Sequence, residues 1–485
     1  MKYTATLIIT GFLWLFAVNT PAQGLRSSYF LEGVSLRHQM NPSFLGEKNY
    51  ISFPLIGNTT IDMHSSVGLS NFVYKYDDPV YTLTTFLNPK IDGNTFLKKL
   101  HTNNKISANL DLTFLSFGFY KWGGFNTFEV GMKSNTSFNI PYSLFDFIKT
   151  GMDKEKVEYH IKNLDIRTNN YVELAFGHAR FIDEDWQVGG KFKVLVGGAN
   201  MRTHIDDMSI KMSGNEWDIV AHGNLDVSVK GGAFKTKMSD ADKRKQEGDY
   251  DLPSGWACEP EEPERRLIDG FDLNSPGIGG WGAGIDLGVT YNLRENLVVS
   301  AAILDLGFIS WTNIKGYNDG KMPFKFDGFD DFAVSDDEYS TNKPIEDQFD
   351  DMTGDFGDMF SFYEKEGKGR RTTILATTLN LGVEYNFPDY EPLSFGALSS
   401  TRFNGLYTWS EVRLSANVKP VSWFNTAFTY GLFNYGSSLG WAFNFHPTGF
   451  NFYAGFDYMV AKLTPQFVPV NKPNIVGNLG FSITF

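Results

Sequence analysis

Cysteine is almost absent. Cys258 is the single one in 485 residues, so the chain cannot close a disulfide within itself. It sits in Trp256-Ala257-Cys258-Glu259-Pro260, with no histidine, second cysteine or basic cluster beside it, and reads as a free thiol without a chemical role. Long apolar runs are also missing. Beyond the first 22 residues no stretch is long and apolar enough for a membrane-spanning helix. Positive charge is in short supply: 43 Lys and Arg face 56 Asp and Glu, a formal net charge of −13. That balance argues against nucleic acid and anionic surfaces as partners. Catalytic signatures are lacking as well. No Gly-x-Ser-x-Gly elbow leads a strand into a helix, and no Gly-rich phosphate loop precedes one. The histidines are scattered along the chain. Their closest cluster, His204-Ile205-Asp206-Asp207, has no second histidine at ligand spacing and reads as a solvated loop. The chain is therefore read as a non-enzyme with no cofactor. The alternative is a barrel enzyme whose triad is spread over distant strands.

What is present points to strands. Lys2, the apolar stretch Leu7 to Val18 and the small residues Thr20-Pro21-Ala22 before Gln23 form a secretory signal peptide, residues 1–22. No cysteine follows that site, so a lipoprotein anchor is not expected. There are 44 Phe, 22 Tyr, 10 Trp and 48 Gly, yet mean hydropathy is −0.24. Many alternating strands with aromatic girdles account for both; a large secreted β-sandwich or β-propeller is the soluble alternative.

The C-terminal strand is the clearest case. Leu479, Phe481, Ile483 and Phe485 fall on one face, and Asn478, Gly480, Ser482 and Thr484 on the other. One greasy face and one small polar face suit a barrel with lipid outside and water inside. The same alternation recurs at Ile285 to Tyr291 and at Leu379 to Phe387. Leu110, Leu112 and Phe114 hold the apolar phase until it slips to Leu115, Phe117 and Phe119, which predicts a bulge. Phe128, Val130 and Met132 follow a turn at Gly123-Gly124. Short turns near 182–185, 293–296 and 419–422 alternate with long segments near 75–103, 141–167, 231–279 and 312–370. The predicted fold is an all-β transmembrane antiparallel barrel of about 14 strands, 14 to 16 in range, with long extracellular loops. Segments 48–74 and 205–230 can each be read in two ways. The terminal strand should pair with the first, near Tyr50 to Asn58, and Phe481, Ile483 and Phe485 form a candidate assembly signal.

Residues 142–150 predict a short amphipathic helix with Leu144, Phe147 and Ile148 on one face and Gly151 as C-cap. It is either packing over the rim or a lid for an apolar ligand. The acidic stretch 327–366 holds Asp327, Asp330, Asp331, Asp336, Asp337 and Glu338, weak candidates for Ca²⁺ in what otherwise reads as a solvated loop with interspersed Phe.

Between the leader and the barrel, residues 23–48 lack alternation, and strands begin only near Tyr50; this is a candidate plug, with the barrel over 49–485. It contains Arg37 and His38, then Asn41-Pro42-Ser43-Phe44-Leu45-Gly46. Asn41-Pro42-Ser43 resembles the Asn-Pro-Ala plug motif of FadL-like barrels, the long-chain fatty-acid transporter superfamily that includes the shuttle barrel of the type IX secretion system. Ser35 to Pro42, Glu173 to Gly177 with Trp186 to Lys191, and Gly282 to Val289 with Asp305 to Trp311 resemble a Bacteroidota family of such Gram-negative outer-membrane barrels. Ser43 stands where the superfamily has Ala. Without the resemblance, Asn41-Pro42 is a simple turn before the first strand.

The resemblance implies passive transport of a hydrophobic small molecule, fatty-acid-like or aromatic, past a kinked strand or displaced plug. Arg37, His38, Asn41 and Pro42 are the candidate plug and ligand-path residues; Arg37 pairing with Asp286 or Glu384 on the wall is the structural alternative. The competing function is a non-transporting scaffold or docking barrel that binds a protein through its acidic loops. The expected partners are outer-membrane lipid, the barrel-assembly machinery and a hydrophobic ligand, with the barrel a monomer.

Overall fold

The computed structural model describes residues 25–52, 57–75, 83–88, 90–150, 158–213, 216–238, 266–274, 277–325, 362–434, 436–457, 472 and 474–485. The signal peptide, Gly151, Cys258 and the six candidate Ca²⁺ carboxylates lie outside the described residues.

The wall is a closed antiparallel barrel of 14 strands. The first is split into β1 (Tyr50–Ser52) and β2 (Asn58–Ser65). A small hairpin, β3 (Val73–Lys75) and β4 (Leu83–Thr85), and two short helices, α1 (Leu69–Phe72) and α2 (Gly93–Leu97), lie outside the wall. The wall continues with β5 (Asn103–Lys121), β6 (Gly124–Pro141), β7 (Glu158–Phe181) and β8 (Trp186–Ser213), with helix α3 (Tyr142–Thr150) between β6 and β7. Next come β9 (Glu216–Val229), β10 (Gly232–Met238) and β11 (Arg266–Leu273), which stand beyond the rim. The wall resumes with β12 (Gly280–Arg294) and β13 (Leu297–Lys325). A further strand is formed by β14 (Tyr363–Ile374) with β15 (Thr377–Asn386). The last six are β16 (Leu393–Phe403), β17 (Trp409–Val421), β18 (Phe424–Phe433), β19 (Gly436–Phe445), β20 (Phe450–Phe456) and β21 (Ile475–Thr484).

The polarity is that of a soluble protein turned inside out. On β21, Leu479 and Ile483 are 43% and 41% exposed, whereas Asn478, Ser482 and Thr484 are buried. The same inversion runs round the barrel: Phe176, Phe192, Leu287, Leu414, Phe428 and Leu439 face outward. Apolar surface of this extent suits lipid, and the inward polar face needs partners inside. Trp186 and Tyr291 meet across β8 and β12 with their rings tilted by 30° and centroids 4.4 Å apart, near the end with short turns. That is the place of an aromatic girdle.

Six short connections lie at that end, beside Tyr50 and Phe485. At the β5–β6 turn Trp122 and Gly123 both have positive φ, 57° and 74°, the hand that matches strand twist in a two-residue hairpin. The phase slip expected after Phe114 is a bulge: the β5–β6 register shifts between Thr113 and Leu115. Closure is made by β21. Tyr50 pairs with Thr484 and Ile51 with Ile483, then Thr59 to Met63 pair with Leu479 to Ile475.

Several segments read as loops are strands. β8 and β13 run past the wall and hold β9 between them, so Ile314–Lys325 is ladder, not loop, and Asn200–Ser213, part of which could be read in two ways, is ladder as well. Segment 231–279 contains the β10–β11 hairpin, and β7 begins at Glu158. His204 correspondingly lies in β8, with Nδ1 2.9 Å from Asp165, rather than in a solvated loop. Under this extension Ile161, Ile205, Met208, Ile210 and Ile219 form a buried core that also takes Leu144 and Phe147 from α3. The other side of α3 sends Phe145 into a second cluster with Phe86 and Phe96. The string Gly436-Ser437-Ser438-Leu439-Gly440 matches Gly-x-Ser-x-Gly but lies along β19, where Arg413 donates to Ser438 Oγ at 3.2 Å; no elbow forms.

Phe485 is 72% exposed and its N–H donates to Asn49 O at 3.0 Å. Deleting Phe485 removes one outward aromatic and one seam bond. The expected result is less folded, heat-modifiable barrel on gel electrophoresis, with an unchanged melting temperature for the fraction that folds.

Candidate functional site

Residues 25–49 fill the lumen. They form two 3₁₀ turns, Arg26–Ser28 and Arg37–Gln39, rather than strands. The wall already uses its backbone groups in its own ladders, so this segment bonds locally and through side chains. Leu25, Tyr29, Asn41 and Ser43 are at most 1% exposed. At the start of the plug, the N–H groups of Arg26 and Ser27 each donate to the Asp457 carboxylate at 2.9 Å. The Arg26 guanidinium lies 4.2 Å over the Trp409 ring and within 4.0 Å of Asp62, Glu411 and Asp457. Deeper in, Tyr29, Phe30, Met40 and Phe44 pack with Leu398 of β16.

Asn41-Pro42-Ser43 is a tight turn seated on the wall. Asn41 Oδ1 accepts from Ser43 N at 3.0 Å and from Ser43 Oγ at 2.8 Å, an Asx turn. Ser43 Oγ also meets Thr290 Oγ1 at 2.7 Å, and Gln187 donates to Ser43 O. The seat is a cross-strand glycine pair, Gly189 of β8 opposite Gly288 of β12. A Cβ at Gly189 would overlap the Pro42 carbonyl, and one at Gly288 would overlap Asn41 Oδ1. The two wall segments that carry these glycines, 186–191 and 282–289, are those whose pattern resembles the barrel family.

Arg37 and His38 are one turn earlier. Arg37 Nε donates to Tyr29 O at 2.6 Å and the guanidinium sits 4.0 Å over Phe44. It pairs with neither proposed wall carboxylate: Asp286 binds Lys193 at 2.8 Å, and Glu384 accepts from Ser394 Oγ. His38 Nε2 is 2.7 Å from Tyr50 OH, and Nδ1 is 3.9 Å from Glu129. Burial pushes its pKa down to about 3, with the Lys191 charge adding to the effect and Glu129 opposing it. The four candidates thus occupy one buried segment, whereas Phe481, Ile483 and Phe485 lie apart from it on the seam.

Above the plug is a cavity of about 80 Å³, whose lining includes Tyr29, Gln39 and Met40 of the plug. Its other side is a charged wall that sequence reading missed. Lys193 Nζ lies 2.6 Å from Asp305, 2.8 Å from Asp286 and 3.8 Å from Glu173. Lys133 Nζ is 3.4 Å from Asp305 and 3.5 Å from Glu173. Lys191 Nζ is 2.6 Å from Glu129, which also accepts from Gln39 at 2.6 Å. Asp305 adopts φ 58°, and its N–H donates to Asp286 Oδ1 at 2.7 Å, beside a register shift between Ile285 and Leu287. A bulge thus turns a second carboxylate toward one lysine. Charged residues in the inward phase of otherwise apolar strands were the available signal. Among the described residues, no group of three or more His, Cys, Asp or Glu is arranged to hold a metal.

A lipid-facing 14-strand wall, a closed seam and a lumen filled by the chain's own N-terminal segment define a plugged β-barrel of the outer-membrane type. A family model described as "Family of unknown function (DUF5723)" matches residues 42–457, and the chain belongs to that family. The match begins within the plug turn at Pro42 and ends at Asp457, the anchor of Arg26 and Ser27. No curated protein matches the sequence. Among solved structures, the chain is similar to the Ralstonia pickettii toluene transporter TbuX, with 10% identity, 93% of this chain and 94% of that one covered, and a TM-score of 0.42. It is also similar to a Pseudomonas aeruginosa FadL homologue, with 11% identity, 96% and 100% covered, and a TM-score of 0.41. The Pseudomonas putida toluene transporter TodX follows, with 8% identity, 96% and 95% covered, and a TM-score of 0.37. Likenesses this weak carry no substrate or activity across.

Two tests follow from the plug. Gly189→Ala and Gly288→Ala force the turn off its seat and are expected to cost about 1–3 kcal/mol by overpacking. This is measured as a lower melting temperature, whereas Gly190→Ala, whose Cβ would meet only ordinary contacts, leaves it unchanged. For His38, the folded pKa lies below the unfolded value, so its contribution is present above about pH 6.5 and lost as pH falls from there. The expected loss is about 1.4 kcal/mol per pH unit between pH 6.5 and 4.5. Thermal unfolding of His38→Gln against the unmodified chain over that window measures it; parallel curves would refute it.

Proposed function

We propose that this protein is a plug-gated passive channel of the outer membrane for a small organic molecule with an apolar body. The observation that supports it most is a surplus of residues in the first strand beside the plug. Between Ile51 and Thr59 the first strand advances eight residues while β21 advances only four, from Ile483 to Leu479. Between Ser52 and Asn58 it advances six while β5 advances three, from Ser116 to Thr113. The surplus falls at one height on both ladders. The other split strand, β14 with β15, has no such surplus: Leu304 to Phe308 and Thr378 to Ile374 are four residues each.

Lipid-facing backbone must find its partners within the protein, so irregular chain in a barrel wall belongs where it borders protein or a cavity. The described residue that follows the surplus borders the plug: Asn58 donates to Gln39 Oε1 at 2.7 Å and accepts from Asn478 and Tyr453. In this reading a solute that reaches the cavity leaves sideways at this height, without expelling the whole plug. The lining narrows the solute. Met40, Met132, Leu304 and Leu398 offer an apolar side, while the lysine–carboxylate wall opposite would gain nothing from a bare hydrocarbon. An apolar body with a polar head suits both.

A second reading, a docking or scaffold barrel, rests on the extension of β7, β8, β9 and β13 beyond the rim, which has its own packed core. A channel of this size does not need it. Flux separates the two readings. Liposomes containing the full chain are expected to take up short amphiphiles faster than empty liposomes, and Gly288→Ala, with its plug unseated, faster still. No difference across a panel of amphiphiles overturns the channel, and co-purification of a stable protein partner would then favour the scaffold.

A further inference from the structure

Around the charged cavity above the plug three lysines face five carboxylates, and one of the five has no ion pair among the described residues. Lys133, Lys191 and Lys193 are each committed to carboxylates at 3.5 Å or less. Glu129, Glu173, Asp286 and Asp305 are the carboxylates they serve. The fifth, Asp111 of β5, lines the same cavity and makes no hydrogen bond or ion pair among the described residues. Its neighbour in the ladder is Lys133, directly opposite on β6. Opposite charges at that spacing normally pair across strands. Lys133 Nζ makes its ion-pair contacts to Asp305 and Glu173, so its charge, like that of Arg402, acts on Asp111 only from beyond ion-pair distance. The remaining cation in the lining, Arg26, is held on the far side by Asp62, Glu411 and Asp457.

We propose that this cavity receives the protonated primary amine of a small organic cation, with Asp111 as the carboxylate that binds it. The inference rests on the channel reading and names the head group of its solute. An ammonium group carries three donors and no acceptor. The lining also includes the oxygens of Thr60, which stands opposite Asp111, and of Thr113, Asn380 and Ser400; those of Thr60, Thr113 and Asn380 already accept one hydrogen bond each and keep a second acceptor position. An anionic head would have to strip a lysine from its present partner and leave a buried carboxylate unpaired, which is the costly direction. A divalent metal would need several ligands converging on one point, and the described residues provide no such group. Size agrees with a head group rather than a whole amphiphile. About 80 Å³ is roughly half of a ~150 Å³ cavity that accepts a benzene ring. The rest of the solute then lies toward Met132 and Leu304, which line the cavity beside the charged wall.

The test uses the full chain in detergent and three ligands of equal length: propylammonium, propionate and propanol. Isothermal titration should show saturable binding of propylammonium alone. Asp111→Asn, checked for heat-modifiable folding, should weaken it by at least tenfold, and Asp111→Glu, which keeps the charge, should retain it. Propionate binding as tightly as propylammonium overturns the inference, and so does an unchanged affinity in Asp111→Asn. The comparison of the three ligands on the unmodified chain needs no variant, so misfolding of Asp111→Asn leaves the test intact. Binding without propylammonium flux into liposomes upholds this inference and overturns the channel; flux without saturable binding does the reverse.

Discussion

Everything in this molecule follows from the fact that lipid offers no hydrogen bond. A sheet placed in it must close, because an open edge would leave a row of N–H and C=O groups unpaired in hydrocarbon. Closure is made by the pairing of Tyr50 with Thr484 and Thr59 with Leu479. Once the sheet closes, its two faces have opposite solvents. Leu479 and Ile483 take the lipid, and Asn478 and Ser482 are left facing a lumen. A lumen lined with amides, hydroxyls and charges needs either water or chain to satisfy it. Residues 25–49 supply the chain.

The plug and the wall are consequently fitted to each other. Gly189 and Gly288 exist as a pair because the Asn41-Pro42-Ser43 turn comes too close for any Cβ. Asp457 accepts the backbone donors of Arg26 and Ser27, so the last residue of the β20 region holds the first described residues of the plug. The charged wall solves the same problem elsewhere in the lumen. Lys133 and Lys193 each bridge more than one carboxylate, stapling β6, β7, β8, β12 and β13 from inside. Buried charges of this kind are tolerated when mutual pairing and hydrogen bonds replace water. Asp111, beside the cavity, stands outside that pairing, and the chemistry proposed for the solute begins there.

Period-two alternation was legible because both solvents of a barrel act on every wall residue. It identified β5 with its bulge, β12, β15 and β21, and it led to the closed barrel. The reading failed where strands continue past the rim. Ile314–Lys325 falls in a segment read as a long loop, yet its ladder to β9 is intact, and that ladder joins residues distant in sequence. His204, read as a solvated loop residue because no second histidine stands at ligand spacing, lies in β8. The plug was legible only as an absence of alternation with an Asn-Pro turn in it. The contacts that seat it were not, since they join residues far apart in the chain: Ser43 to Gln187 and Thr290, and Ser27 to Thr429 and Asp457.

By itself, the sequence determined the class of solvent each face meets, and hence a barrel, its seam partners and the segment left over to enter it. These depend on local periodicity, which is written into neighbouring residues. Tertiary structure alone decided which carboxylate each lysine neutralises, that Arg37 binds a carbonyl rather than Asp286 or Glu384, and that Asp111 makes no hydrogen bond or ion pair among the described residues. Those outcomes depend on strand stagger and on the bulge at Asp305, which bring side chains from six strands to one height. No short stretch of chain encodes that height; it exists only once the barrel has closed.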